Sequence, residues 1–404
     1  MSDHFGKHDP TSGSRSPGDP LADMAEATRL TGLGRLEEAT ALIQRSLLGR
    51  GAASPRQGGE ASPGQRVREV MDTVVKGIAP VLKGLGQPLR APQGAPQRGA
   101  TSGSSGKAGA TGSAAGGAFL ARTYSGPTGA RDYKLFVPSR PQAPAALVVM
   151  LHGCTQNPDD FAAGTGMNVL AERAGLYVAY PAQSRSAHPQ KCWNWYDPGD
   201  QGRESGEAAI IAGITRSVLE AYPVDPAQVY IAGMSAGGAA AMNIAHAYPD
   251  LYAAVGVHSG LAAGCARDLG SALMAMQVGA PGFGTGPHFG APVTPKRIPT
   301  IVFHGTDDGT VSVRNADQIL TQAEASGLTA IAESVEATAG GYPYQRTRYA
   351  DRNGRVVIED WRIRGVGHAW SGGRPEGSYT DSGGPDASRA MLDFFAEHRL
   401  AKAT

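Results

Sequence analysis

Short apolar runs alternate with amphipathic segments from Phe119 to the end of the chain. The runs that favour buried strands cover residues 131–137, 146–153, 176–181, 228–233, 253–258 and 300–304. Residues 344–364 predict a hairpin, because Asn353-Gly354 is a strong turn signal. Helical spacing occupies residues 160–174, 207–222, 236–247, 313–325 and 385–398. Apolar strands separated by helices are typical of a mostly parallel sheet covered on both faces, so the pattern predicts an α/β fold.

The first 118 residues show a different pattern. Residues 21–48 and 67–85 carry weak helical spacing that glycine or proline interrupts, and the segment that follows is almost entirely Gly, Ala, Ser and Thr. The sequence therefore predicts three parts: a leader with amphipathic helices at 1–92, a flexible linker at 93–118 and one folded domain at 119–404.

The leader helices have two interpretations. They form a docking element for a partner, a granule surface or a lipid interface, or they pack on the folded domain or on a second copy of the chain. Arg29 and Arg35 are interspersed with Glu37 and Glu38, whereas a membrane-binding helix has a strongly cationic face. The charge pattern favours packing.

Charge and composition exclude several classes of protein. The chain has 37 Lys and Arg against 36 Asp and Glu, and a formal net charge of +1 offers no field that attracts nucleic acid. No apolar run approaches the ~20 residues that span a bilayer, so no transmembrane segment is expected. The polar N-terminus holds Asp3 and Asp9 where a secretory signal has a basic start and an apolar segment. This predicts a cytoplasmic location or non-classical export.

The strongest chemical pattern is Gly233-Met234-Ser235-Ala236-Gly237, between an apolar strand and a helix of small residues. A strand that turns abruptly into a helix leaves the serine in a strained conformation, and glycines two positions away on either side leave room for the turn. Ser235 is therefore the candidate nucleophile. The alternative is a glycine-rich turn with an inert serine.

A serine nucleophile needs a histidine base and a carboxylate, and this turn predicts the chain order Ser, acid, His. Asp308 follows the strand at 300–304 and fits the spacing H-G-x-x-D-x-x-V better than Asp307, which suits simple turn chemistry. His368 and His398 lie after Asp308. His368 stands in a glycine-flanked loop after a strand, so it is the candidate base.

An ester carbonyl that is attacked by serine develops a negative charge, which two backbone N–H groups stabilise. Ala236, next to the nucleophile, supplies one candidate. Cys154, in the turn after the strand at 146–153, supplies the other, although the same residues also fit a plain strand-ending turn. No phosphate-binding loop, H-E-x-x-H motif or carboxylate cluster occurs in the sequence. Neither a nucleotide nor a metal cofactor is expected.

Three tryptophans are candidates for substrate binding. Trp193 and Trp195 lie in an insertion at 182–204, and Trp370 comes two residues after the candidate base. Aromatic rings in such loops form a substrate subsite or pin the loop by packing, and the sequence leaves both interpretations open. Whether Cys192 bonds to Cys154 is also open, because three cysteines permit one disulfide and leave one thiol.

Five motifs in order, LHGCTQN at Leu151, KCWNWYDP at Lys191, GMSAGG at Gly233, HGTDDGTV at His304 and GHAWSGG at Gly367, resemble the esterase family of poly(3-hydroxybutyrate) depolymerases. That family also resembles feruloyl and acetylxylan esterases. The resemblance implies an α/β-hydrolase fold and an extracellular location. It also implies a triad and a pair of oxyanion donors, carried by Ser235, Asp308, His368, Cys154 and Ala236.

The residues and the resemblance together predict a cofactor-free serine esterase that hydrolyses poly- or oligo(3-hydroxybutyrate), or related hydroxyalkanoate esters, through an acyl-enzyme. A feruloyl or acetylxylan esterase is the alternative within enzymes. An alternative of another class is a granule- or surface-binding protein that acts through the leader helices.

Overall fold

The computed structural model describes residues 111–112, 116–280, 297–323, 327–335 and 341–401. Eleven strands in these ranges form one sheet in the order β1-β2-β3-β5-β4-β6-β7-β8-β11-β10-β9. Their bounds are β1 Thr111–Gly112, β2 Ala118–Gly126, β3 Gly129–Val137, β4 Ala145–Leu151, β5 Tyr177–Pro181, β6 Val224–Met234, β7 Ala254–His258, β8 Thr300–Gly305, β9 Thr329–Val335, β10 Tyr344–Ala350 and β11 Val356–Ile363. A separate short pair joins β12 Trp370–Ser371 to β13 Thr380–Asp381.

The centre of the sheet is parallel and its flanks are antiparallel. The six strands β5, β4, β6, β7, β8 and β11 run parallel to one another. Antiparallel pairs β2–β3 and β10–β11 extend the sheet at its two sides. The predicted mostly parallel sheet is confirmed, and so is the predicted hairpin, which turns at Gly354 with φ 78°.

Helices cover both faces of this sheet. In chain order they are α1 Pro158–Thr165, α2 Met167–Ala174, α3 Pro198–Gln201, α4 Gly206–Ala221, α5 Ala236–Ala247, α6 Leu269–Val278, α7 Arg314–Gln322 and α8 Ala387–Ala396. Side chains alternate along a strand, so Val149 of β4 packs in one core with Ile211 of α4, and the adjacent Val148 packs in another core with Met391 of α8. The continuous apolar runs are therefore explained by burial on both faces.

Two flanking strands were not predicted from the sequence. In β2 the central residues are exposed or half-buried, and the described residues of β9, Thr329 to Glu333, are exposed. A strand with little burial carries only a weak apolar pattern, because its pairing depends on main-chain hydrogen bonds.

The sheet also reaches into the segment predicted as a linker. Thr111 pairs with Phe119, and Gly112 pairs with Ala118. Main-chain pairing needs no large side chain, so a composition of small residues does not prevent it. Residues 1–92, and the linker apart from 111–112 and 116–118, lie outside the described residues.

The carboxyl ends of the parallel strands lie along one edge of the sheet. Gly233 of β6 is in register with Leu151 of β4, and Met234 is in register with His258 of β7. His258 is in turn in register with Phe303 of β8. The loops that leave these strands therefore start close together, and they carry the candidate site residues. No helix in the described ranges is both long enough and apolar enough to cross a bilayer.

Candidate active site

Ser235 joins β6 to α5 in a strained conformation. Its φ of 56° and ψ of −123° lie in a backbone region that residues other than glycine rarely adopt. Its N–H donates a hydrogen bond to the carbonyl oxygen of His258 at 2.9 Å. Such strain persists only where the surroundings impose it, and it is concentrated at functional sites. The turn has the geometry of a nucleophile elbow.

The two glycines of the elbow are required by close backbone contacts. A Cβ atom at Gly233 would overlap the carbonyl group of Gly237. A Cβ atom at Gly237 would overlap the carbonyl oxygen of Leu151, at the end of β4. Any larger residue at either position would push the helix away from the sheet. The sequence pattern thus has a direct steric cause.

Asp308 and His368 are brought together at the same edge of the sheet. His368 Nδ1 lies 2.7 Å from Asp308 Oδ2. Asp308 Oδ1 accepts hydrogen bonds from the N–H groups of Thr310 and Val311 at 2.9 and 2.8 Å. Asp307 is exposed and bonds to the Thr306 hydroxyl. The structure places Asp308, and not its neighbour, beside the candidate base.

The surroundings of Asp308 keep it ionised. Burial by itself would raise the pKa of this carboxyl group, but the hydrogen bond from His368 and the N–H of Val311 outweigh burial and hold the pKa below its ordinary value. An ionised carboxylate on Nδ1 leaves Nε2 of His368 free to act as a base. The geometry of the pair therefore suits a histidine that acts as a general base.

The predicted oxyanion turn is held by bonds on both sides of Cys154. The Gly153 N–H donates to Gln156 Oε1 at 2.9 Å, and the Thr155 N–H donates to the Gln190 carbonyl at 2.7 Å. Among the described residues the Cys154 N–H has no acceptor. Ala236 is the first residue of α5, so its N–H has no partner within the helix. Both candidate donors are available for a substrate oxygen.

A disulfide between Cys154 and Cys192 answers a question that the sequence left open. It joins the oxyanion turn to the insertion at 182–204. Cys265 is the free thiol, and burial raises its pKa to about 12. The insertion is thus covalently attached to a predicted catalytic element.

A buried polar cluster lies behind the oxyanion turn, and sequence reasoning missed it. Glu207 of α4 accepts hydrogen bonds from Gln183 Nε2 and from the Asn194 N–H, the latter at 2.8 Å. The Gln183 N–H donates to His152 Nε2 at 3.1 Å, and Arg131 Nη2 lies 3.8 Å from Glu207 Oε1. Burial raises the pKa of Glu207 to about 7 and lowers that of His152 to about 4.

His258 is a second residue that sequence reasoning missed. Its carbonyl oxygen accepts the Ser235 N–H, and its Nε2 accepts the Ser371 N–H at 2.9 Å. The ring is fully buried and stacks on Trp370 and Phe303, with centroids 5.0 and 5.8 Å away. Burial lowers the pKa of His258 to about 3, so the ring stays neutral. One residue thus bonds both the candidate nucleophile and the loop that follows the candidate base.

The three candidate substrate-binding tryptophans are buried. Trp193, Trp195 and Trp370 are 0%, 6% and 1% exposed. Trp193 Nε1 donates to the His152 carbonyl at 2.9 Å, and Trp370 Nε1 donates to Ser388 Oγ at 3.1 Å. These contacts favour the alternative in which the indoles pack and hold the loops. An isolated aromatic in a loop sequence does not reveal whether its ring faces the core or the solvent.

Comparison with known proteins finds a family model and two relatives, all described as depolymerases of hydroxyalkanoate polymers. The chain matches the family described as Esterase PHB depolymerase over residues 132–341, a range that includes Ser235 and Asp308. Poly(3-hydroxyalkanoate) depolymerase C of Paucimonas lemoignei is 32% identical over 239 residues, which cover 57% of this chain and 56% of that protein. Poly(3-hydroxybutyrate) depolymerase of Ralstonia pickettii is 25% identical over 291 residues, which cover 65% of this chain and 56% of that protein.

Two further proteins extend the comparison. Feruloyl esterase B of Thermothelomyces thermophilus is 29% identical over 207 residues, which cover 48% of this chain and 70% of that protein. The solved acetyl xylan esterase from Aspergillus awamori superposes with a TM-score of 0.54 at 20% identity, covering 69% of this chain and 99% of that one. The α/β-hydrolase fold is confirmed. The chain spans a little over half the length of the two depolymerases that it matches.

Proposed function

The chain belongs to the esterase PHB depolymerase family, and on that basis we propose that it is a serine esterase that hydrolyses carboxylic esters through an acyl-enzyme. Ser235 is the nucleophile, His368 the general base and Asp308 the carboxylate that orients it. Cys154 and Ala236 supply the oxyanion N–H groups. No cofactor takes part in the proposed reaction.

One observation carries this proposal. A serine with φ 56° stands at the junction of a parallel strand and a helix, at the sheet edge where a buried aspartate lies 2.7 Å from a histidine. A strained serine without a base would not be activated, and an aspartate–histidine pair without a nucleophile would have no group to activate. Their joint placement at the carboxyl ends of strands of one parallel sheet supports acyl transfer.

The reaction follows from the roles of these groups. His368 removes the proton of the Ser235 hydroxyl as its oxygen attacks the ester carbonyl, and the two N–H groups stabilise the developing oxyanion. The imidazolium then protonates the leaving alkoxide, which departs as an alcohol. Water attacks the acyl-serine in the second half, with His368 again as base, and the acid product leaves Ser235 free.

Poly- or oligo(3-hydroxybutyrate), or a related hydroxyalkanoate ester, is the proposed substrate. The similarity to two depolymerases of hydroxyalkanoate polymers supports this class. The net charge of +1 suits a neutral polyester, since a polyanion or polycation would be attracted by a charged surface.

The similarity to a feruloyl esterase favours a second candidate, an esterase that removes feruloyl or acetyl groups from plant polysaccharide. The same Ser235, Asp308 and His368 would serve it, because the two candidates differ in the substrate groups that flank the reacting carbonyl. The site chemistry therefore does not separate them, and substrate rates must.

Rates on a small panel of esters test the proposal. Purified protein is assayed on 3-hydroxybutyrate dimers and trimers, methyl ferulate and acetylated xylan, with Ser235→Ala as the blank. The proposal expects the hydroxybutyrate oligomers to be hydrolysed with the highest kcat/KM. Preference for methyl ferulate or acetylated xylan would establish the second candidate, and the absence of hydrolysis on every ester would contradict the esterase itself.

The division into leader, linker and catalytic domain is also a proposal, as is docking of the leader helices on a polyester granule. The composition change near residue 118 supports the division. The amphipathic spacing of residues 21–48 supports docking, whereas their mixed charges favour packing on the folded domain or on a second copy. Removal of residues 1–110 keeps β1 and should abolish binding to polyester granules while hydrolysis of a soluble ester persists. Granule binding that survives this truncation would contradict the docking role.

A further inference from the structure

Tyr379 has a strained backbone conformation, and the proposed mechanism gives this residue no role. Six residues other than glycine in the described ranges have left-handed φ values: Thr155 at 67°, Ser235 at 56°, Ser259 at 49° and Tyr379 at 53°, together with Lys191 at 54° and Glu204 at 70° in the insertion at 182–204. The first two belong to the oxyanion turn and the nucleophile elbow, and Ser259 follows His258. A bulky side chain rarely adopts this conformation, so contacts around Tyr379 must impose it.

Tyr379 lies between the two loops that carry the proposed chemistry. Its hydroxyl is 3.2 Å from Thr155 Oγ1, in the oxyanion turn. Its carbonyl oxygen accepts the N–H of Trp370 at 2.7 Å, two residues after His368. The residue therefore bridges the turn that binds the ester oxygen and the loop that supplies the base.

The chain around Tyr379 is anchored to the oxyanion turn. The Ser378 N–H donates to Asp160 Oδ1 at 2.9 Å, and Gln156 Nε2 donates to the Ser378 carbonyl at 3.1 Å. The same Gln156 accepts the Gly153 N–H through Oε1. These bonds hold the backbone of Tyr379 in its strained conformation and limit where its ring can lie.

The ring of Tyr379 faces solvent. The residue is 47% exposed, whereas the candidate tryptophans Trp193 and Trp370 are at most 1% exposed. An exposed aromatic ring beside a reaction centre offers apolar area that a bound chain covers, and a ring loses little conformational entropy on binding. Its position makes it accessible to substrate in a way that the buried indoles are not.

We propose that Tyr379 is a specificity-determining residue, whose ring contacts the apolar chain of the ester next to the scissile bond. The inference rests on the proposed esterase function. It assigns to Tyr379 the substrate contact that the sequence suggests for the tryptophans. Because the ring touches the chain and not the reacting atoms, its loss should affect KM for longer esters more than kcat.

The test compares Tyr379→Gly with Tyr379→Phe on p-nitrophenyl acetate and p-nitrophenyl butyrate. Glycine removes the ring and also relieves the left-handed φ, so backbone strain does not obscure the result. Ile331→Ala is the matched control, because Ile331 is 51% exposed on the edge strand β9. Thermal unfolding of each variant confirms that it is folded.

Tyr379→Gly should raise KM about tenfold for the butyrate and much less for the acetate, as expected when about 1.4 kcal/mol of chain contact is lost. Tyr379→Phe keeps the ring and should retain most of the affinity for the butyrate. Equal KM values for wild type and the Gly variant would overturn the proposal. So would an equal fall in kcat on both esters, which would make Tyr379 a support for the oxyanion turn.

This series is independent of the proposed substrate class. p-Nitrophenyl esters report on any serine esterase, so the KM comparison remains valid if hydroxybutyrate oligomers are not hydrolysed. If neither p-nitrophenyl ester is hydrolysed by the wild type, the esterase function itself is contradicted, and with it the role of Tyr379.

Discussion

The oxyanion turn and the acid–base pair lie at the same edge of the sheet, but different interactions hold them. The turn at Cys154 is fixed by a disulfide and backed by the buried Glu207 cluster. Asp308 and His368 are held by backbone N–H groups and by aromatic packing around His258. The oxyanion turn, the first half of the candidate site, depends on a redox-sensitive disulfide and on the carboxyl group of Glu207, whose pKa is about 7. The second half includes His258, whose pKa is lowered by burial to about 3, and Asp308, whose pKa is held below its ordinary value.

The supports of the two halves respond differently to reductant and to pH. Reductant and mild changes of pH act on the Cys154–Cys192 bond and on Glu207, and both support the oxyanion turn. His258, with a pKa of about 3, and Asp308, whose pKa is held low, do not change charge between pH 6 and pH 8. We expect reductant to act on the oxyanion turn and to leave the Asp308–His368 pair intact.

The largest expected effect is in the acid–base half. Asp308→Asn removes the charge that orients His368 and should lower kcat by about 10⁴. Asp307→Asn is the matched control, because the adjacent aspartate is exposed and does not contact His368. Steady-state kinetics on p-nitrophenyl acetate measure both variants. Similar losses in the two would contradict the assignment of Asp308.

The next largest effect is expected when the Cys154–Cys192 disulfide at the oxyanion turn is removed. Replacing Cys154 and Cys192 together by serine should lower the free energy of unfolding by about 2–4 kcal/mol. It should also lower kcat about 10- to 100-fold, less than the roughly 10²–10³ that loss of an oxyanion donor costs. Urea unfolding and kinetics measure the two quantities.

Cys265→Ala is the control for this pair, since it removes the free thiol and no cross-link. Treatment of the wild type with dithiothreitol should reproduce the loss of activity. A doubly substituted protein with wild-type kcat would show that the disulfide does not support the turn.

A smaller effect is expected for the support of the base loop. His258→Phe keeps a ring to stack on Trp370 and Phe303 but leaves the buried Ser371 N–H without an acceptor. An unpaired buried donor costs about 1–3 kcal/mol of stability. Because the loop carries His368, kcat should also fall, while KM should change little. A variant with lower stability and unchanged kcat would limit His258 to a structural role.

The smallest effect on catalysis is expected at Glu207, where the change is in the pH dependence of stability. The pKa of Glu207 is about 7 in the folded protein against an ordinary value of 4.5, so the folded state binds more protons between these values and Glu207 lowers stability as pH rises through them. Glu207→Gln removes this decrease of stability with rising pH, because glutamine does not titrate. The unfolding free energy of the variant relative to wild type should therefore increase from pH 5 to pH 8, by at most about 3 kcal/mol.

Urea unfolding at several pH values measures this difference. Comparison with wild type removes the opposite contribution of His152, whose lowered pKa makes stability rise from about pH 4 to 6.5. A difference that does not change with pH would mean that Glu207 is not the titrating group.

The sequence predicted what depends on local pattern. Buried strands, the hairpin at Asn353-Gly354 and the elbow around Ser235 follow from apolar runs and from glycines at fixed spacing. Spacing from His304 favours Asp308 over Asp307 as the candidate acid. In the structure Asp308 is buried and lies 2.7 Å from His368 Nδ1. The catalytic roles of these residues remain proposals.

What the sequence missed depends on contacts between distant segments. Glu207 and His258 resemble an ordinary helix residue and an ordinary strand residue, and only the fold brings Gln183 to the first and Ser371 to the second. Burial of Trp193 and exposure of Tyr379 likewise depend on tertiary packing. Local patterns do not encode which way a loop aromatic points.

Covalent labelling shows whether Ser235 is an activated nucleophile, as we propose. A fluorophosphonate probe is incubated with wild type and with Ser235→Ala, and intact-protein mass spectrometry counts the adducts. We expect one adduct on the wild type, slower labelling of Asp308→Asn and no adduct on Ser235→Ala. Equal labelling of wild type and Ser235→Ala would contradict it.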